Sequence, residues 1–401
     1  MAKKQAVLVV DFGNSETRAI VLCKKDKKLK ERKFTVSNRF AEVDNGFIPD
    51  EDYSDDTSMV FNIDTKIGDK NIVGTYVSGE VQEREFSTSF IRPTAQEAKY
   101  TAKSTVLSYT KAIFKAYEAL ADIYSVDKDK LDVEWTVVVL LPPGDIEKGK
   151  AKMAELLQNI NKIDCTFPQF NKDISLKSVA VFPEGFCAYI GTVFERGVTP
   201  RAEFVDTLKE TVLVLDIGAG TTDMLIVKDN RVINNSLYSI KQGGNNIVQT
   251  LNSSFMRKGV ELLESDLEKA VVTGFVKVGA GVEDVSDTIC KAKRAVAGII
   301  SNKIKTFLET SEYPLNSINK LLVCGGGAMQ SENEKITSLS KVLVEQLKGV
   351  APSIELLSTP VQENIVVNEV TKEKNIVKSE VSLRELNILG ASIFGERFVG
   401  E

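Results

Sequence analysis

The sequence contains no histidine among its 401 residues. A Ser-His-Asp or Cys-His catalytic arrangement is therefore excluded, and so is a histidine-ligated zinc site. The 5 cysteines are scattered through apolar stretches without a CxxC pair, which favours reduced core thiols over a disulfide framework. The chemistry that remains available is that of carboxylates and metal ions.

Long apolar runs are also lacking. No stretch approaches the roughly 18 residues of a transmembrane helix, and residues 1–4 lead into a predicted strand without a signal-peptide core. A net charge of -5 argues against nucleic-acid binding by the surface as a whole. The basic run at residues 24–33 predicts a solvated loop, with a local binding patch as the alternative. We expect a cytoplasmic protein that neither enters a membrane nor binds nucleic acid directly.

The most informative feature that is present is an internal duplication. Residues 7–18 (VLVVDFGNSETR) and 212–223 (VLVLDIGAGTTD) both predict a strand that ends in Asp, a glycine-containing turn and a second strand. Glycine allows a turn to bring several backbone N–H groups close to an anion, and an Asp at the strand end can hold the water shell of Mg²⁺. Two such hairpins facing each other predict a site for one nucleoside triphosphate.

Other segments predict a large α/β protein around these hairpins. Apolar spacing indicates helices at residues 101–124 and 284–309, and buried strands at 133–141 and 179–182. A β-hairpin is predicted from residues 59–63 and 71–77. The strand at 321–324 ends in Gly325, Gly326 and Gly327, and a helix start is predicted at residues 382–391. At this length, two or more domains are expected, with a cleft between them.

The order of these features resembles the five ATP-site motifs of the actin, hexokinase and heat-shock-chaperone ATPase superfamily. By that resemblance, residues 11–18 and 216–223 are the two phosphate motifs, and 183–191 and 387–394 are the two connecting motifs. Residues 322–329 correspond to the adenosine motif. Residues 140–143, 178–185 and 68–74 are similar to the bacterial actin-like proteins of the ParM type, which segregate plasmids.

The resemblance implies an α/β, actin-like fold in which two duplicated ribonuclease-H-like α/β domains flank a nucleotide cleft. It implies a first domain at residues 1–195, with a small inserted subdomain at about 34–95. The second domain is expected at 196–381, and residues 382–401 are expected to form a C-terminal helix that returns to the first domain.

The resemblance also implies the residues of the site. Glu184 is expected to orient the attacking water and Asp216 to act with it in catalysis, while Asp11 and Asp216 hold hydrated Mg²⁺. The nucleotide, ATP or GTP, is expected to contact fifteen residues: Asp11, Gly13, Asn14, Ser15, Arg18, Gly218, Ala219, Gly220, Thr221, Gly243, Gly244, Lys293, Gly325, Gly326 and Gly327.

Simpler interpretations of several of these residues stay open. Glu184 suits the positive end of a helix dipole without any catalytic role. Asp216 is also typical of a turn, and Arg18 of an exposed strand position. Thr221 fits β-propensity alone, and Lys293 fits a solvated basic helix face.

The function implied by the resemblance is a filament-forming ATPase. The expected partners are further copies of the chain and a DNA-binding adaptor bound to a plasmid centromere-like site. One alternative is an actin relative of the cell-division or cell-shape type. Others are a small-molecule kinase of the same superfamily, for which Asp145 is the available base, and a chaperone ATPase, which requires a substrate domain after the last motif.

Overall fold

The computed structural model describes residues 3–49, 53–54, 57–88, 90–94, 97–310, 315–328, 331–367 and 374–400. Its chain forms two units, one of residues 1–183 with 391–401 and one of residues 184–390. The domain boundaries expected at 195/196 and 381/382 stay predictions.

Among its described residues, the first unit contains ten strands and three α-helices. The strands are β1 (Lys4–Phe12), β2 (Glu16–Lys25), β3 (Lys28–Ser37), β4 (Phe40–Val43), β5 (Met59–Ile67), β6 (Lys70–Ser78), β7 (Val133–Leu141), β8 (Lys162–Phe167), β9 (Gln169–Asp173) and β10 (Ser175–Pro183). The helices are α1 (Glu80–Glu85), α2 (Lys103–Tyr124) and α3 (Ile146–Asn159).

The larger sheet of this unit has the strand order β10-β7-β1-β2-β3. Strand β1 pairs antiparallel with β2 and parallel with β7. Both β1 and β7 are nearly continuous apolar runs because helices and sheet cover them on both faces. The strand predicted at 133–141 is confirmed as β7.

The basic run at residues 24–33 is not a solvated loop, so that interpretation was wrong. It forms the end of β2, a turn at Asp26 and Lys27 with φ of 53° and 61°, and the start of β3. Strand β3 lies at the edge of its sheet, where exposed lysines discourage pairing with another chain. The run therefore has a structural explanation.

A second sheet has the order β4-β6-β5-β8-β9. Its central hairpin, β5 and β6, confirms the hairpin predicted from residues 59–63 and 71–77. Strands β8 and β9 were not predicted, because residues 162–173 carry no apolar run that stands out from a loop. Helix α2, predicted at 101–124, contributes many of the large buried side chains of the unit, including Tyr109, Phe114 and Tyr117.

Among its described residues, the second unit contains twelve strands and five complete helices, and a further helix, α9, begins in it. The strands are β11 (Phe194–Glu195), β12 (Thr199–Pro200), β13 (Val212–Ile217), β14 (Thr222–Lys228), β15 (Arg231–Val232), β16 (Tyr238–Ile240), β17 (Phe275–Val278), β18 (Gly281–Asp284), β19 (Lys320–Cys324), β20 (Glu355–Leu356), β21 (Val361–Val367) and β22 (Lys374–Glu380). The helices are α4 (Phe186–Val193), α5 (Gly244–Met256), α6 (Glu264–Thr273), α7 (Ser286–Thr310), α8 (Leu339–Leu347) and α9 (Leu386–Gly395).

The main sheet of the second unit repeats the pattern of the first. Its order is β15-β14-β13-β19-β20, with β13 antiparallel to β14 and parallel to β19. Asp216 stands opposite Asp223 in this hairpin, as Asp11 stands opposite Arg18 in the first. The duplicated hairpin of the sequence is therefore a duplicated hairpin of the fold.

Two helices correspond to helices predicted from the sequence. Helix α7 confirms the helix predicted at 284–309. Helix α9 begins at Leu386, later than the predicted start at 382, because residues 382–385 form a turn closed by the Glu385 N–H donating to the Ser382 carbonyl. None of the helices in the described ranges is long and apolar enough to cross a membrane.

All the cysteines are free thiols, as predicted. Cys23, Cys165, Cys187 and Cys324 are buried, and Cys290 is partly exposed. Burial raises the pKa of the Cys165 thiol, which keeps it protonated and unreactive.

Candidate functional site

The first hairpin turn is held from outside the hairpin by Asn38. The Gly13 N–H donates to the Glu16 carbonyl over 3.1 Å, and the Asn38 side-chain amide donates to the Gly13 carbonyl over 2.5 Å. The Asn38 Oδ1 accepts from the hydroxyls of Thr17 and Ser108, each over 2.8 Å. Asn38 is fully buried. This anchor was missed in the sequence, where a single Asn after a strand carries no signal.

Charged groups gather where β1 and β7 end, since these two parallel strands run toward the same edge of the sheet. The Lys99 Nζ lies 3.9 Å from Oδ1 of buried Asp11. Burial raises the pKa of Asp145, which follows β7, and the charge of Lys99 opposes that rise. Lys99 was not predicted. Arg18, expected to contact phosphate, forms an ion pair with Glu16.

The second hairpin turn is closed by the Gly218 N–H donating to the Thr221 carbonyl over 2.8 Å. The first residues of α5 pack onto it backbone to backbone: the Gly244 N–H donates to the Gly218 carbonyl over 3.0 Å, and the Asn245 N–H donates to the Ala219 carbonyl over 2.8 Å. The predicted nucleotide residues of these two segments are therefore brought together. The Thr221 hydroxyl points to the Asp223 carboxylate, 3.4 Å away.

The glycines that follow β19 pack against the same hairpin turn. A Cβ on Gly327 would collide with the Gly218 carbonyl oxygen and stand 2.9 Å from the Gly244 nitrogen, so no larger residue fits. Beside it, the Arg384 side chain lies 3.5 Å from the position that a Cβ on Gly326 would take. Arg384 was not among the predicted site residues. Met329, the last residue of the predicted adenosine motif, lies outside the described residues.

The predicted catalytic residues of the second unit are buried near the start of α9. Glu184 and Asp216 have exposed fractions of 9% and 6%. The Asn387 Nδ2 donates to Oδ2 of Asp216, and the Asn387 Oδ1 accepts from the Gly185 N–H over 2.8 Å. Asn387 fell inside a predicted motif, but nothing in the sequence indicated which groups it contacts.

Lys293 lies in the middle of α7 and is completely buried, so its interpretation as part of a solvated basic face was wrong. Burial lowers the pKa of Lys293 to about 8, and the neighbouring Cys290 opposes that shift. The exposed neighbours Lys291 and Arg294 form the basic face instead.

The two turns have the properties of anion-binding backbone. Among the hydrogen bonds of the described residues, none uses the N–H groups of Asn14, Ser15, Ala219 or Gly220, and all four residues reach solvent. Such donors fit the oxygens of a phosphate chain. The described ranges contain no cluster of three or more His, Cys, Asp or Glu side chains that could hold a metal ion directly.

Comparison with solved structures identifies the fold. The structure of Ta0583, an archaeal actin homologue, aligns with a TM-score of 0.64 at 14% identity, covering 98% of this chain and 99% of that one. A ParM from Bacillus thuringiensis with ATP gives 0.59 at 16% identity, with coverages of 98% and 99%. A 15-stranded ParM filament from Clostridium botulinum gives 0.58 at 17% identity, also with 98% and 99%. No curated protein sequence matches the chain.

The chain is thus an α/β protein of the actin-like fold, as predicted. Within that class, residues 214–334 match the family of archaeal actin homologues described as MreB-like, C-terminal. The predicted resemblance to bacterial actin-like proteins, including those of the ParM type, is confirmed.

Proposed function

We propose that this protein binds and hydrolyses Mg-ATP and assembles into filaments that segregate plasmid DNA in the cytoplasm. The observation that carries the proposal is the convergence of three backbone segments, 218–221, 243–245 and 325–327, beside the buried carboxylate of Asp216. Backbone packed this closely excludes side chains, and the N–H groups of Ala219 and Gly220 beside it suit the oxygens of a phosphate chain. Similarity to a ParM solved with ATP supports the same ligand.

The residues present suit phosphoryl transfer, which requires mainly positioning and neutralisation of charge. The accessible N–H groups of Asn14, Ser15, Ala219 and Gly220 would bind the phosphate oxygens. Asp11 and Asp216 would hold the water shell of Mg²⁺, which when bound supplies positive charge to the phosphates. Glu184, at the start of the link into α4, would orient the attacking water.

Self-association and the DNA adaptor rest on similarity. One aligned structure is a ParM filament, and its likeness spans nearly the whole chain. We propose that subunits carrying ATP associate, that hydrolysis weakens the contacts, and that an adaptor protein links the filament to plasmid DNA. Because the net charge is -5, the adaptor and not the filament surface would supply the DNA contact.

Right-angle light scattering after addition of ATP and Mg²⁺, with phosphate release followed in parallel, tests both parts. We expect scattering to rise above a critical protein concentration and to fall as ATP is exhausted. Hydrolysis without any rise in scattering over a wide range of concentrations would contradict the filament proposal.

Two variants separate the roles of the site residues. Glu184→Ala is expected to slow phosphate release while filaments still form and last longer, because the variant lacks only the group that orients water. Asp216→Ala is expected to weaken Mg-dependent nucleotide binding. Glu195→Ala, which removes an exposed acid a short distance along the chain, is the matched control. Loss of nucleotide binding in Glu184→Ala, or wild-type hydrolysis in Asp216→Ala, would contradict these roles.

A second candidate, a small-molecule kinase, is favoured by the charged cluster at Asp145. The raised pKa of this carboxyl suits a general base. If the protein is a kinase, Asp145→Asn should abolish ATP-dependent phosphorylation of an added hydroxyl compound. The filament proposal instead expects no acceptor-dependent ADP release in the wild type, and Asp145→Asn should then leave hydrolysis within about twofold.

A further inference from the structure

Asn387, the second residue of α9, uses both ends of its side-chain amide. Its Oδ1 accepts the Gly185 N–H over 2.8 Å, and its Nδ2 donates to Oδ2 of Asp216. The reversed amide would turn an N–H₂ group toward a backbone donor and an oxygen toward a carboxylate, so only one orientation satisfies both partners. The side chain is 5% exposed, which keeps water from replacing either bond.

The second carboxylate oxygen of Asp216 is also confined by its neighbours. Its Oδ1 lies so close to Gly325 that a Cβ there would collide with it. One carboxylate oxygen is thus hydrogen-bonded to Asn387 and the other is packed against backbone. A hydrogen bond to an ionised carboxylate is stronger than one between neutral groups, so the bond from Asn387 fixes how this carboxylate is rotated.

Gly185 immediately follows Glu184, so Asn387 ties two segments that are distant in sequence. We propose that Asn387 is a positioning residue, which holds the Asp216 carboxylate in register with the peptide that carries Glu184. The proposal rests on the proposed function, because Glu184 and Asp216 are its reacting groups. Asn387 itself touches neither nucleotide nor water in this scheme.

The first test variant is Asn387→Asp, which places a second carboxylate next to Asp216. The second is the double variant Asp216→Asn with Asn387→Asp, called the exchanged pair, which restores an amide-to-carboxylate hydrogen bond. Asn302→Asp, on the exposed face of α7, adds the same charge elsewhere and is the control. Melting temperature without nucleotide measures the contact. We expect Asn387→Asp to melt several degrees lower, the exchanged pair to recover most of that loss, and the control to match wild type. An exchanged pair no more stable than Asn387→Asp would overturn the contact.

Measurements of kcat and KM well below each melting temperature test the positioning role. For Asn387→Asp we expect kcat to fall by about tenfold or more while KM for Mg-ATP stays within about threefold, because the phosphate-binding turns are unchanged. A wild-type kcat in this variant would overturn the role even if the melting temperature drops. Absence of hydrolysis in the wild-type protein would instead refute the proposed function, and the melting data would still decide whether the contact exists.

Discussion

The completely buried Lys293 should make the stability of this protein rise with pH under mildly alkaline conditions. Its pKa is lowered from 10.5 to about 8 by burial, whereas the unfolded chain keeps the ordinary value. Between these two values the unfolded state binds more protons than the folded state. Stability therefore increases as pH rises through this window.

The size of the effect follows from the shift. At 1.36 kcal/mol per pKa unit, charging Lys293 in the folded protein costs about 3 kcal/mol at pH 7. At pH 10 the group is neutral in the folded state and partly neutral in the unfolded state, so the cost falls to about 1 kcal/mol. Lys293→Met keeps an unbranched side chain that is one heavy atom shorter and removes the charge. The stability difference between variant and wild type should therefore shrink by about 2 kcal/mol from pH 7 to pH 10.

Urea unfolding of both proteins at the two pH values measures this difference. The pH dependence of the difference follows from proton binding alone, so it isolates the titration of Lys293 from the packing that both pH values share. Lys291→Met, at the exposed neighbouring position, should show a difference within about 0.5 kcal/mol that does not change with pH. An equal difference between Lys293→Met and wild type at pH 7 and pH 10 would refute the reasoning.

Three further substitutions test the packing by the same urea measurements. Gly390→Ala should cost about 3 kcal/mol or prevent folding, because its Cβ would collide with the Cys187 carbonyl where α9 crosses α4; a cost under 1 kcal/mol would contradict that crossing. Gly298→Ala, at a helical position where a Cβ would meet only the Gln346 side-chain amide at 3.9 Å, should instead stabilise by about 0.5–1 kcal/mol. A loss of stability would mean that this amide cannot accommodate the added methyl group. Asn38→Ala should lower the free energy of unfolding by about 3 kcal/mol, because the buried groups that bond to Asn38 lose their partner. The same variant should weaken nucleotide binding. Unchanged binding would show that the first turn holds its shape without this anchor.

Sequence periodicity predicted the parts of the fold whose burial is strong and local. Strand β7, helices α2 and α7, and both Asp-ending hairpins came from apolar runs or helical spacing, which follow directly from which faces are buried. Strands β8 and β9 were missed because they are short and largely polar, and join a sheet whose other strands lie far away in sequence. The basic hairpin of β2 and β3 was wrongly predicted as a loop, because the high density of charge was given more weight than the alternation of residue types along a strand.

Candidate site residues were predicted from the sequence where a glycine turn or a strand-end carboxylate marked them. At two of these positions, Gly243 and Gly327, a Cβ would collide with the backbone of the turn after β13. Asn38, Lys99 and Asn387 act through side chains that reach across from remote segments, and their types are common in any sequence. Such contacts depend on tertiary structure, so no local sequence pattern predicts them.

The packing of Gly327 against Gly218, and the hydrogen bond from Asn387 to Asp216, have a consequence for how the protein folds during synthesis. Strand β13 must pair with β19, so that Leu213 stands opposite Leu321, before the glycines after β19 reach the turn after β13. Contacts between segments so far apart form late, since the long intervening chain must first be ordered. A chain emerging from the ribosome therefore has no complete second turn until residues near 387 have left the exit tunnel. If the protein binds nucleotide as proposed, nucleotide added during synthesis would stabilise only molecules whose second turn is complete, so ligand binding would report completed folding.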